Sequence, residues 1–139
     1  MVVKTVVHFE IPANDVEGLS KFYKDVFGWK FKKGPPMLDF DYWVISTGPE
    51  GKSVGGGMYK KMGTQDGPRN WIQVDGIDSA IATFKNSGGK EVMGKQEVPK
   101  IGFTFLGADP EGNMIGLFEP KQPPRRASSV SRRSKSKRR

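Results

Sequence analysis

The sequence predicts an α+β fold made from two copies of a β-α-β-β-β unit, and three observations carry that prediction. First, Val6-Val7-His8-Phe9-Glu10-Ile11, a polar turn and then Val16 to Tyr23 are partly repeated about sixty residues on, as Trp71-Ile72-Gln73-Val74-Asp75 and Ile77 to Phe84. Second, each copy pairs a strand-like alternation with a stretch whose apolar residues fall three and four apart. Third, each copy is followed by three short strand-like runs set off by Gly, Pro, Asn and Asp. A chain of two similar modules usually places its binding site between them.

In the first unit, residues 3–11 alternate and are rich in Val, Phe and Ile, the pattern of a strand. Asn14 or Asp15 can cap the following helix, and Glu17 suits its first turn. Leu19, Phe22, Tyr23, Val26 and Phe27 form one stripe, and Gly28 stops the helix. Strands are expected at 29–32, 40–46 and 53–59. The last has Gly55-Gly56-Gly57 at its centre, which suggests a close approach of a ligand, a partner copy or another backbone. Lys60 to Pro68 reads as a linker. The second unit repeats the order with a strand at 70–75, a helix at 78–86, and strands at 90–98, 102–108 and 114–119. The last two are joined by the turn Asp109-Pro110-Glu111-Gly112-Asn113.

Composition narrows the function. The 139 residues give one domain with one modest core, expected over residues 1–120 as two modules of about 1–60 and 68–120. Residues 121–139 hold nine of the 23 Lys/Arg, five Ser and no acid, and are expected to form a disordered tail. Residues 1–120 therefore carry 14 Lys/Arg against 15 Asp/Glu, a net charge of −1, so the basic pI belongs to the tail and does not mark the body as nucleic-acid binding. The absence of cysteine excludes disulfides, thiolate metal sites and a cysteine nucleophile, and fits a cytoplasmic setting, or a nuclear one in a eukaryote. No apolar run is long enough to span a membrane. Arg125-Arg126-Ala127-Ser128 resembles a basophilic-kinase site, so Ser128 is a candidate for modification.

Four features together resemble the vicinal-oxygen-chelate superfamily, the glyoxalase, bleomycin-resistance and extradiol-dioxygenase group. They are the doubled unit, the opening His8-x-Glu10 with Asp15 five residues on, the helix ending Phe22-Tyr23…Phe27-Gly28-Trp29, and the closing Asp109-Pro110-Glu111-Gly112-Asn113. The resemblance covers roughly residues 3–120 and is nearest to the small glyoxalase-like domain proteins. It implies a cup-shaped mixed sheet with helices on the outer face and a homodimer. In metal-dependent members it also implies a divalent ion held by the first and last strands of each half. At those positions this chain offers His8, then Arg69, Trp71 and Gln73, then Gly55-Gly56-Gly57, and finally Gly116. Only His8 is a good ligand and Gln73 a weak one, against the three or four that a stable divalent site needs. Glu119 lies three residues past Gly116 and so on the opposite face of its strand.

The leading expectation is a small-molecule binding protein or metal-independent enzyme. His8, the sole histidine, and Glu10, two residues on and on the same face, are the candidate catalytic pair for proton transfer. Trp71, Gln73, Arg69, Trp43, Phe103 and Phe105 are candidates to line the cup; Arg69 suits an anionic oxygen. Against this stands plain core packing for about half of the aromatics, a solvated Arg69, and a structural role for His8. Alternation allows only one of Tyr42 and Trp43 to face the cup. Two alternatives remain. One is a metal-dependent lyase or dioxygenase with His8 and unusual ligands. The other is an adaptor whose tail contacts nucleic acid or acidic partners.

Overall fold

The computed structural model describes residues 4–35, 40–63 and 66–121; the tail, with Ser128, lies outside them. The chain runs β1 (Thr5–Ala13), α1 (Val16–Phe27), β2 (Lys30–Lys33), β3 (Tyr42–Ser46), β4 (Gly55–Lys60), then β5 (Arg69–Gln73), α2 (Ile77–Asn86), β6 (Lys90–Val98), β7 (Gly102–Ala108) and β8 (Met114–Pro120). This is the expected order twice over. The strands form one mixed eight-stranded sheet in the order β2-β3-β4-β1-β5-β8-β7-β6. The two halves are thus continuous, joined by the antiparallel pairing of β1 with β5. On its other edge β1 runs parallel to β4, and β5 likewise runs parallel to β8. The same arrangement therefore occurs on both sides of the central pair.

Period-two alternation gives the sheet two different faces. Phe9, Ile11 and Ala13 of β1, Trp43 and Ile45 of β3 and Met58 of β4 pack with Val16, Leu19 and Tyr23 of α1. Ile72 and Val74, Phe103 and Phe105 of β7, and Leu117 of β8 pack with Ile77, Ala80, Ile81 and Phe84 of α2. Both helices thus cover one face, each over its own half. The other face is left for the cup. Phe22, Val26 and Phe27, the rest of the α1 stripe, stay exposed.

Local chemistry sets both helix starts. Asp15 caps α1 by accepting from Gly18 N at 3.1 Å. Gly28 ends the helix in the left-handed region at φ 74°, a conformation glycine adopts without penalty. The α2 start has Gly76 at its cap and no capping side chain of its own. Instead Glu119 of β8 reaches across, its Oε1 accepting from Ile77 N at 3.1 Å. This is the helix-covered face, opposite Gly116, as the odd spacing requires. Glu119→Ala is expected to lower stability by about 1 kcal/mol, the usual cost of a lost cap, and Glu119→Gln by much less. Urea unfolding midpoints of the two variants check this. Among the described residues, no helix is long and apolar enough to cross a membrane.

Candidate functional site

On the cup face, β1 presents His8 and Glu10. A register shift between Val6 and His8 bulges the strand, so Val7 joins His8 on the cavity wall. Across β4 the sheet is bare, because Glu10 lies opposite Gly57 and His8 opposite Gly55. Tyr42, on the strand beyond, uses that space. Its ring lies over Gly57, where a Cβ would collide with the Tyr42 hydroxyl and ring. The hydroxyl is thereby brought to 2.7 Å from His8 Nε2 and donates to Glu10 Oε2 at 2.8 Å. Gly57 is what permits this His8–Tyr42–Glu10 chain.

The second half repeats the device. The Trp71 ring lies over Gly116 of β8, where a Cβ would strike it. Gln73, Thr104 and Phe118 extend the wall, and Val98, Ile101 and Phe40 close its rim. Together these residues enclose about 400 Å³, within the range of small-molecule sites.

Electrostatics follow from burial and from Glu10. Burial lowers the His8 pKa, partly opposed by the Glu10 charge, which raises it. Burial also pushes the Tyr42 phenol well above its ordinary range, and the neighbouring Glu10 pushes it further. The ring of His8 is therefore neutral at neutral pH. The unfolded chain takes up the His8 proton near pH 6.5 and the folded protein only at lower pH, so stability is expected to fall as pH drops below about 6.5. Glu10→Gln removes the raising influence and is expected to lower the His8 pKa further. With one histidine in the chain, NMR titration of its ring protons reads this directly.

The sequence candidates divide. His8, Glu10, Trp71 and Gln73 converge on the cavity. Trp43, Phe103 and Phe105 do not: alternation turns them to the helix-covered face, where all three pack in the cores. Arg69 stands beside Glu10 as its register partner on β5 and does not line the cavity. Its Nη2 bonds Asp66 Oδ1 at 2.6 Å and the Tyr59 hydroxyl, and its Nε lies 3.9 Å from Glu10 Oε1. Its Nη2 serves the protein, its Nε is buried without a hydrogen bond, and the side chain is not on the cavity wall where a bound anionic oxygen would sit. Tyr42, left open against Trp43 by alternation, is the one of the two on the wall, and Thr104 and Phe118 are among the lining residues that the sequence did not single out. For Tyr42 a signal existed, since the glycines opposite need a large neighbour to fill their space.

A curated relative decides the family. It is a "Glyoxylase-like domain-containing protein" of Didymella fabae, 33% identical over 112 residues that span 75% of this chain and 84% of the relative. The chain belongs to the glyoxalase-like family. Residues 5–48 of this glyoxalase-like chain also match the family described as bleomycin resistance protein-like N-terminal. Solved structures share the fold at low identity. A hypothetical protein from Bacillus halodurans C-125 aligns with a TM-score of 0.66 at 13% identity, covering 88% of this chain and 98% of its own. Methylmalonyl-CoA epimerase from Mycobacterium tuberculosis aligns at 0.63 and 15%, covering 88% and 94%. A glyoxalase/bleomycin resistance protein/dioxygenase superfamily member from Vibrio splendidus aligns at 0.61 and 16%, covering 84% and 99%.

The metal that some members of this superfamily use does not suit the residues present here. Among the described residues no three His, Asp or Glu side chains are grouped to hold an ion. His8 Nε2 is engaged by Tyr42, and the space above Gly57 and Gly116 is filled by aromatic rings.

Proposed function

We propose that this glyoxalase-like protein binds a small organic molecule in the cup and transfers a proton to or from it through His8. The observation that carries this is the His8–Tyr42–Glu10 chain on the wall of the cavity. An ionised carboxylate can only accept, so the single hydroxyl proton of Tyr42 goes to Glu10. Tyr42 must then accept from His8, which puts the imidazole proton on Nε2. His8 Nδ1 has no partner among the described residues and is the basic atom. When Nδ1 takes a proton from the bound molecule, the positive charge on the ring is stabilised through Tyr42 by Glu10. Neutral His8 at neutral pH is the form this role needs.

The test is retention of a ligand. Purified protein is incubated with a metabolite extract, passed rapidly through gel filtration, denatured, and the released small molecules are identified by mass spectrometry. One or a few compounds are expected with the native protein and none with Thr104→Trp, which fills the cup. The same compounds released from both would sink the proposal.

A further inference from the structure

We infer that the cup selects an uncharged molecule with an apolar body and a hydrogen-bond donor, a hydroxyl or an N–H, at the end that meets His8 and Glu10. This rests on the reading of the cup as the binding site and narrows it to a substrate class.

Hydrogen-bond polarity gives the donor. At the first-half end every proton is already assigned: His8 Nε2–H goes to Tyr42 and the Tyr42 hydroxyl to Glu10. What remains for a ligand is His8 Nδ1 and the carboxylate of Glu10, and both only accept. A ligand that offered an ether or carbonyl oxygen there would leave acceptors facing acceptors on a largely apolar wall, and would bind more weakly than one that donates.

The absence of an anion comes from charge. Among the described residues the lining includes one acid, Glu10, and no Lys or Arg. The nearest cation, Arg69, is 13% exposed and spent on Asp66, Tyr59 and Glu10. An anionic ligand would enter beside a carboxylate with no counter-charge of its own, and like charges side by side on a largely apolar wall repel.

The apolar body is dictated by the rest of the wall, which is Val7, Phe40, Val98, Ile101, Phe118 and the ring of Trp71, whose N–H is buried without a hydrogen-bond partner. Gln73 and Thr104 in the second half are neutral and can both donate and accept, so they tolerate either kind of group at the far end.

The experiment compares three probes of one shape: naphthylmethanol, its methyl ether, and naphthoate. Binding to the full chain is followed by proton–nitrogen correlation NMR through the indole N–H of Trp71, assigned with Trp71→Phe. Naphthylmethanol is expected to shift the Trp71 signal, the ether to bind about tenfold more weakly, and naphthoate to bind weakest. In Glu10→Gln, which keeps an acceptor for Tyr42 but removes the charge, the penalty on naphthoate is expected to shrink by about tenfold. Naphthoate or the ether binding at Trp71 as tightly as the alcohol would overturn this inference while leaving the cup as a binding site. If none of the three moved Trp71, the cup reading would fall together with the inference.

Discussion

Gly116→Ala is expected to lower the stability of the protein by about 3 kcal/mol, the upper end for forcing extra volume into packed structure. The reason is the Trp71 ring, whose six-membered part lies where the new Cβ would go. Backbone pairing holds both partners, since Trp71 and Gly116 are register neighbours in the parallel β5–β8 ladder. The ring can yield only by leaving the cavity wall. Gly116→Glu demands more room still and is expected to leave the cup unfolded rather than equipped with a ligand. Urea denaturation of Gly116→Ala in the native and Trp71→Ala backgrounds checks the cause. In the absence of the ring the cost is expected to fall below about 1 kcal/mol, a coupling of the size seen for side chains in contact. An equal cost in both backgrounds would mean that the ring is not what excludes the side chain.

The same logic applies to Gly57 under Tyr42, and together the two pairs say why the cup departs from a metal site. Where the superfamily resemblance implies acidic ligands on the last strand of each half, this chain has glycine with an aromatic ring laid across it. The exchange trades a coordination sphere for an apolar wall with one polar corner. Restoring one carboxylate at Gly116 would therefore conflict with Trp71 before it met any metal.

Much of the architecture was legible because it depends on local signals. The repeat gave the order of ten elements, Asn14-Asp15 and Gly28 marked the ends of α1, and odd spacing placed Glu119 away from Gly116. His8 with Glu10 and Trp71 with Gln73 could be paired by period two alone. What alternation cannot give is which of two faces a strand turns to the helices. Phe103 and Phe105 share a face, yet only their pairing opposite Glu119 and Leu117 shows it to be the one under α2. Tyr42 and Trp43 pose the same choice. Met58 opposite Trp43, and Tyr42 two strands from His8 with Gly57 bare between them, settle it in favour of Tyr42 in the cup. Arg69 was misplaced for another reason: its strongest partner, Asp66, sits in the segment before β5, and no periodicity links a loop acid to a strand cation.

That ion pair supplies the second large effect. Asp66→Ala is expected to destabilise the protein by about 3 kcal/mol, because it strands a charge that folding has taken out of water. The two side chains are only 13% and 9% exposed, far from the surface pairs that contribute little. Without Asp66 the guanidinium keeps the Tyr59 hydroxyl and a Glu10 oxygen 3.9 Å from Nε, and that Nε is buried with no hydrogen bond already. Asp66 also accepts from Tyr59 and from Met62 N, so its loss loosens the approach to β5. Adding Arg69→Met to Asp66→Ala removes the stranded charge, and the double variant is expected to recover more than half of the loss in urea midpoint. Its cup should then show what Arg69 does for Glu10. With the cation gone, Glu10 is less offset, and discrimination against naphthoate is expected to grow rather than weaken. If the double variant were no more stable than Asp66→Ala, the cost would lie in the lost Tyr59 and Met62 contacts, and Arg69 would not be the charge at issue.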